Sequence, residues 1–260
     1  MSSGDRVSIP LFAELIPDGV RAGTEFIVEF DPSSQWIAVA TTITAKYLQA
    51  GGRVAYVTTT RSREAAKEGL SNLGVNVSVA IKEGRLTIDD WYTATLTGGR
   101  IDTEPGKAYL AEPVEGGLRM RSLKVADLSV EWLKASKDGW QSQDVAETWA
   151  PGALGIFESN TEILRFNEEN PFVEFYLSRV LPNERRARRI GFAGLATGIH
   201  SQTLYKRLEN AVDGIVEVTV MERDGEAQDF LRVRSLKGQP RDARWHRIEI
   251  KPNGEATLVG

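Results

Sequence analysis

Few residues in this 260-residue chain have the types and spacing that ligand binding or catalysis needs. Ser33 and Ser34 follow an apolar run and precede residues with helical spacing, so their backbone N–H groups are candidates for holding an anion at a helix start. His200 follows a second apolar run and is a candidate general base. Ser33 and Ser34 are equally good N-caps, and a loop histidine is more often structural, so we interpret His200 as an ordinary loop residue.

Two groups of acidic residues are candidates for acid–base or metal chemistry. The first is Glu158-Ser159 with Glu162, and the second is Asp89-Asp90. Such pairs need a partner that shifts their pKa values or completes a metal site, and neither has a histidine or cysteine nearby in the sequence. We therefore expect both groups to be structural.

A single dense basic cluster, Arg185-Arg186 and Arg188-Arg189, is the candidate nucleic-acid contact. Glu184 and other nearby glutamates dilute its field. With 32 basic and 36 acidic side chains the chain has a net charge of −4, which argues against non-specific binding to nucleic acid. We expect no nucleic-acid partner.

Composition removes other classes of site and protein. The chain has no cysteine and two histidines, which excludes disulfides, thiol nucleophiles and histidine-rich metal centres. The first residues contain no apolar signal core, and no apolar run approaches the roughly 20 residues that span a bilayer. The sequence therefore predicts a cytoplasmic protein without a membrane partner.

The candidate residues lie between segments that alternate between strand and helix. Residues 26–30 read as a buried strand, a helix is predicted to open at Ser33-Ser34 and to end at Gly51-Gly52, and residues 53–58 read as a second strand. Such a unit has parallel strands, because only a long crossover allows them. The later segments continue the alternation: a helix at 62–73, a strand at 86–89, a loop or hairpin at 97–117, a helix at 123–135, a strand at 154–157, a helix around 173–180 and a strand at 190–195.

The last fifty residues have a different pattern. Residues 215–220, 230–234 and 246–250 alternate apolar with polar side chains, which is typical of antiparallel strands. Asp224-Gly225 and Asn253-Gly254 are strong hairpin turns because these pairs tolerate positive φ. The sequence predicts a C-terminal β-meander.

This layout resembles the KaiC-like branch of the RecA-type ATPases, especially the single-domain archaeal ones, over nearly the whole chain. The resemblance implies one domain, residues 1–260, with an α/β, RecA-like three-layer fold, a mostly parallel central sheet and a C-terminal antiparallel β-meander. The core is expected at about 7–210, the meander at about 212–260 and an insertion at about 97–117. The segments that carry the resemblance are Ile9–Thr24, Asp89–Thr93, Leu123–Ser129, Val212–Glu217 and Leu231–Gly238.

The resemblance also implies that the phosphate-binding loop has degenerated. In the family pattern G-x-x-x-x-G-K-[ST], Phe30 and Gln35 stand at the glycines, Trp36 at the lysine and Ile37 at the Mg²⁺-binding hydroxyl. Asp31 adds an acidic group that repels phosphate, and we expect Trp36 to fill the vacated space. The eight positions read Phe30, Asp31, Pro32, Ser33, Ser34, Gln35, Trp36 and Ile37.

The other functional positions of the family are replaced as well. The Walker B aspartate falls on Glu158, and the pair of catalytic glutamates falls on Thr60 and Arg61. The lysine and arginine that act on a neighbouring subunit's nucleotide fall on Ser235 and Lys237. The resemblance therefore implies no catalytic residue, no metal and no bound cofactor.

The leading hypothesis is a catalytically inactive KaiC/RecA-like pseudo-ATPase that serves as an oligomeric scaffold or regulatory partner in signalling or gene regulation. Its partners would be further copies or an active KaiC/RecA-like paralogue. One alternative is binding of ATP or ADP with Mg²⁺, without hydrolysis, at the N–H groups of Ser33 and Ser34. A RecA-like nucleic-acid-binding protein and a hydrolase centred on His200 are the others.

Overall fold

The computed structural model describes residues 6–92, 103–104, 110–114, 117–121, 151–165 and 168–259. The strands are β1 (Arg6–Val7), β2 (Val20–Arg21), β3 (Glu25–Phe30), β4 (Val54–Thr58), β5 (Leu86–Asp90), β6 (Thr103–Glu104), β7 (Leu110–Val114), β8 (Gly117–Arg121), β9 (Leu154–Phe157), β10 (Ile190–Ala196), β11 (Gly214–Arg223), β12 (Glu226–Leu236), β13 (His246–Ile250) and β14 (Ala256–Val259). The helices are α1 (Trp36–Gln49), α2 (Arg63–Asn72), α3 (Val77–Lys82), α4 (Thr161–Leu164), α5 (Glu169–Phe175), α6 (Leu181–Ala187) and α7 (Gln202–Ala211), with a π-helical turn, Tyr176–Val180, between α5 and α6.

One ten-stranded sheet runs through the described residues, in the order β14-β13-β12-β11-β3-β10-β9-β4-β5-β6. The six strands from β11 to β5 in this order are parallel, and the pairs from β11 to β14 are antiparallel. The predicted α/β fold class is confirmed. The predicted C-terminal antiparallel meander is confirmed as well, and its first strand, β11, is in addition parallel to β3.

Helices cover both faces of the sheet and give the three expected layers. Helices α1 to α3 pack with residues such as Phe26 and Val28 of β3 into one apolar cluster. Helices α4 to α7 pack with Ile27 of the same strand and Leu195 of β10 into a second cluster. Strand β3 is buried along its whole length because its side chains alternate between the two clusters.

The connection from β3 to α1 differs from the prediction. Helix α1 begins at Trp36, after an N-cap, Gln35, that makes no side-chain capping bond. The prediction of Ser33 or Ser34 as caps was wrong, because Asp31 accepts hydrogen bonds from the N–H and hydroxyl of Ser33 in a local turn before the helix. The helix ends as expected at Gly51, which has a φ of 84°.

The remaining predicted segments have mixed outcomes. The helix predicted at 62–73 is present as α2, capped by Ser62, and Asp224 and Gly225 have positive φ in the turn between β11 and β12. Helix α3 was missed. Strands β7 and β8 form an antiparallel hairpin within and just beyond the expected insertion, and the predicted helix at 123–135 lies outside the described residues. No helix among the described residues has the length and apolar character needed to cross a membrane.

Candidate functional site

The loops that follow the parallel strands meet at one edge of the sheet, which we call the carboxyl edge. The β3–α1 loop, Asp31–Gln35, lies here, as do residues 59–61 after β4 and residues 158–160 after β9. Ligands of open α/β sheets bind at this edge, outside the carboxyl ends of the strands. The sequence-predicted positions Thr60, Arg61 and Glu158 are therefore brought together with the β3–α1 loop.

The amides of the β3–α1 loop already donate to groups of the chain itself. The N–H of Ser33 donates to Asp31 Oδ1 at 2.8 Å, and the N–H of Ser34 donates to the Asp31 carbonyl at 2.8 Å. The N–H of Gln35 donates to Oδ1 of Asp229 at 2.8 Å. The expectation that the amides of Ser33 and Ser34 remain available was therefore wrong, because the loop supplies its own acceptors.

Asp229, on β12, is a functional candidate that the sequence did not reveal. It lies 194 positions from Gln35 and reaches the loop only because β12 and β3 flank β11. Burial raises the pKa of Asp229, and the charge of Asp31 raises it further, while the Gln35 amide acts in the opposite direction. Two neighbouring carboxyl groups thus face the amides that a phosphate would need, and they repel a further anion.

Trp36 occupies the interior beneath the loop. Its side chain is fully buried, and its Nε1 donates to the backbone carbonyl of Glu158 at 2.8 Å. A Cβ at Gly194 of β10 would lie 2.8 Å from Nε1, so the indole fills the space beside this glycine. Phe30 stacks on it at a ring separation of 6.5 Å. This arrangement agrees with the interpretation of Trp36 as a space-filling residue, and Ile37 beside it packs against the same core cluster.

The carboxylate of Glu158 is completely buried and has partners at both oxygens. Oε1 accepts from the hydroxyl of Tyr56 at 2.7 Å and from Nε of Arg61 at 2.8 Å. The donors to Oε2 are the Thr58 hydroxyl (2.9 Å), the Thr59 amide (3.0 Å), and the Thr60 amide (3.1 Å) and hydroxyl (2.8 Å). The three threonines after β4 therefore form a cage around one carboxylate oxygen.

Arg61 supplies the charge that balances Glu158. Its guanidinium also donates to the hydroxyls of Thr41 at 2.7 Å and Tyr56 at 2.8 Å, and it lies over the Tyr56 ring. Burial, with the adjacent Glu158, raises the pKa of Tyr56, which keeps its hydroxyl protonated as a donor. Glu158 has no spare lone pair for a metal ion, and no group of three or more metal-binding side chains converges within the described part of the chain.

His200 lies at the same edge but in a different setting. Its Nε2 is 3.0 Å from the hydroxyl of Thr161, and its Nδ1 is 3.6 Å from Glu169. Burial lowers the pKa of His200, against the effect of Glu169. The Thr161 hydroxyl accepts the N–H of Ala196 and is buried, so no substrate reaches it in this structure. The contacts favour a structural role for His200.

The other sequence candidates do not form paired sites. Asp89 and Asp90 are consecutive in β5 and so face opposite sides of the sheet. Asp90 accepts the N–H of Arg63 at the start of α2 (2.9 Å), whereas burial raises the pKa of Asp89 to about 7. Glu162 pairs with Arg165 at 2.7 Å and not with Glu158.

The basic cluster lies at the opposite, amino edge of the sheet. Ser235 and Lys237, the positions that the resemblance assigns to contacts with a neighbouring subunit, lie at the same edge. Arg185 pairs with Asp213 at 3.0 Å, and Arg189 pairs with Glu184. Ser235 lies near the end of β12, and Lys237 donates through Nζ to the carbonyl of Asn210 at 2.6 Å. Within one chain these residues therefore lie far from the β3–α1 loop.

Comparison with known proteins supports the fold alone. No family model matches the chain, and no curated protein matches it. Among solved structures, a KaiC-like protein from the hyperthermophilic archaeon Pyrococcus horikoshii is similar to it with a TM-score of 0.67 and 18% sequence identity, over 98% of this chain and 99% of that one. The chain thus has the KaiC-like, RecA-type fold that its sequence layout resembles.

Proposed function

We propose that this protein is a KaiC/RecA-like domain that has lost ATP chemistry and acts in the cytoplasm through contacts with other protein subunits. The observation that carries the proposal is the burial of Trp36 at the position that the family reserves for the phosphate-binding lysine. An indole there removes a positive charge and occupies volume.

The residues present do not fit ATP with Mg²⁺. Phosphate needs free amides at the loop, and those of Ser33, Ser34 and Gln35 are taken by oxygens of Asp31 and Asp229. Mg²⁺ needs a carboxylate with a free lone pair and a hydroxyl partner. Glu158 has six donors, and Ile37 stands where the hydroxyl would be.

Contact with other protein subunits is the function that we infer for a domain that keeps the fold but lacks an ATP site. The β-meander adds an edge of three antiparallel strands to the parallel sheet, and it is complete although the loop chemistry is replaced. RecA-type domains associate head to tail, a heterologous geometry that gives rings or filaments. We infer that the partner is a second copy or an active paralogue, in a signalling or gene-regulatory assembly.

Calorimetric titration of the purified full chain with ATP and Mg²⁺ tests the loss of nucleotide binding. We expect no saturable heat and no thermal shift with ADP. Trp36→Lys alone should also fail to bind, because Asp31 and Asp229 still hold the loop amides. Saturable binding by the natural chain would overturn the proposal in favour of nucleotide binding without hydrolysis.

Light scattering on the eluting protein tests the contact function. We expect a mass above the 28.7 kDa of one chain, or co-purification of a KaiC/RecA-like paralogue. A strict monomer that captures no such paralogue would contradict it. Binding of single-stranded DNA that weakens steeply with salt would instead indicate a nucleic-acid function.

A further inference from the structure

A buried carboxyl group lies at the amino edge of the sheet, away from the candidate site. Glu25, the first residue of β3, is 3% exposed. Tyr176 donates its hydroxyl to Glu25 Oε1 at 2.5 Å. Gly191 of β10 is its register partner, and a Cβ there would lie 1.7 Å from Oε2. The carboxyl group therefore occupies space that only a glycine leaves open.

The charges around Glu25 do not balance it. Glu184 of α6 pairs with Arg189, and Asp213, before β11, pairs with Arg185. Asp213 also accepts the backbone N–H of Glu25 at 3.1 Å. Three carboxyl groups thus share two arginines, and both arginines are engaged by the other two.

The second oxygen of Glu25 has no donor. Oε2 is buried and makes no hydrogen bond within the described part of the chain. A buried carboxylate oxygen without a donor or a cation is far more costly than a neutral carboxyl group in the same place. The geometry therefore favours a proton on Glu25, with Oε1 as the acceptor for Tyr176.

Tyr176 connects this carboxyl group to the helical layer that covers the sheet. It begins the π-helical turn between α5 and α6, where the helical hydrogen-bond pattern is interrupted. We propose that Glu25 is a proton-dependent latch that holds the helical segment Glu169–Ala187 against the sheet and releases it when the carboxyl group ionises.

The direction of the effect follows from linkage. Burial, followed by the charge of Glu184, raises the pKa of Glu25 to about 8, while Tyr176 and Arg189 act to lower it. In the opened segment the group regains its ordinary value of 4.5. Opening therefore becomes about tenfold more favourable per pH unit between these two values and levels off above the higher one. The latch is tightest in acid.

Hydrogen exchange of the natural chain and Glu25→Gln, from about pH 5.5 to about pH 8.5, tests the proposal. At each pH the exchange rate of an amide in the natural chain is divided by its rate in Glu25→Gln, and this ratio cancels the intrinsic pH dependence of exchange. We expect this ratio for amides 169–187 to rise about tenfold per pH unit up to about pH 8 and then level off. Glu68→Gln, at an exposed position of α2, should match the natural chain.

Two results would overturn the latch. One is a ratio that does not change with pH. The other is a change shared equally by β12 and the rest of the chain, which would show global destabilisation without a local latch. If Glu25→Gln does not fold, titration of the Glu25 carboxyl ¹³C shift in the natural chain decides: an ordinary glutamate pKa contradicts the proposal, and one near 8 supports it.

Discussion

Glu158 shows how a carboxylate at the carboxyl edge of the sheet can be unavailable to a ligand. Glu158 is fully buried, and its charge is balanced inside the chain by Arg61. Removing one partner of a buried ion pair leaves an uncompensated charge, which costs more than the pair contributes. The contribution of Arg61 to the stability of the fold therefore depends on Glu158 being charged.

A double-mutant cycle on Arg61→Met and Glu158→Gln tests this dependence. We expect Arg61→Met alone to lower the free energy of unfolding by about 3 kcal/mol, because it leaves the buried carboxylate without its positive partner. The threonine and tyrosine donors remain. In the Glu158→Gln background the same change should cost at least about 1 kcal/mol less. Urea denaturation at neutral pH measures all four chains.

Arg244→Met is the control for losing an arginine, since its partner Asp242 lies at the surface and Arg244 is 83% exposed. It should leave the free energy of unfolding nearly unchanged, because an exposed ion pair contributes little to stability. If the effects of Arg61→Met and Glu158→Gln simply add, the two residues do not depend on each other.

The sequence predicts residue roles only where they follow from position along the chain. That Trp36 stands where the family pattern has a lysine is an inference from the loop pattern alone. The Asp229 contact is not, because a strand aspartate looks solvent-facing until β12 is placed beside β11. Arg61 likewise reads as a lost catalytic position, since nothing local reveals that Glu158 follows β9, the strand beside β4.

Among the elements, the β3–α1 loop relies on side chains to satisfy its backbone amides. A glycine-rich loop leaves its amides for a ligand. Here Asp31 and Asp229 accept two of them in place of a ligand. The backbone amides of Ser33, Ser34 and Gln35 are therefore all occupied by acceptors of the chain itself.

Removing both carboxylates should expose the loop to anions. We expect Asp31→Ala with Asp229→Ala to gain weak sulfate binding, seen as a melting temperature that rises with sulfate more than in the natural chain, because the amides of Ser33 and Gln35 lose their acceptors. Glu64→Ala with Glu68→Ala removes the same charge from exposed positions of α2 and should not respond. An equal response of the two double variants would refute a specific loop effect.

Strong local signals made most elements predictable, and their absence explains the errors. The buried strand β3 and the capped helix α2 follow from composition and from Ser62. Helix α3 is only six residues long, too short for a periodic pattern. The start of α1 was misplaced because Ser33 resembles a cap, whereas the turn at Asp31 delays the helix to Trp36.

At the scale of the whole molecule, β3 connects both edges of the sheet and carries a buried glutamate near each. Glu29, towards the carboxyl edge, contacts Arg234 at 3.3 Å, and Arg234 also pairs with Glu209 and Glu217. Three acids thus share one arginine at this point of the sheet, with Arg232 and Lys206 as outer partners of Glu217 and Glu209.

The crowding at Glu29 makes global stability depend on pH. Burial raises the pKa of Glu29 to about 7, against the effect of Arg234, whereas the ordinary pKa of this side chain is 4.5. Since the unfolded carboxyl group ionises first, the free energy of unfolding falls as pH rises from about 4.5 to about 7 and is level above that. The side chain in Glu29→Gln cannot ionise, so this variant lacks the part of the slope that Glu29 contributes. The difference in unfolding free energy between the natural chain and Glu29→Gln should change by on the order of 2–3 kcal/mol across this interval. Urea denaturation at a series of pH values measures it, with Glu68→Gln as the exposed control. A slope that persists unchanged in Glu29→Gln would mean that Glu29 is already ionised in the folded chain, held by Arg234.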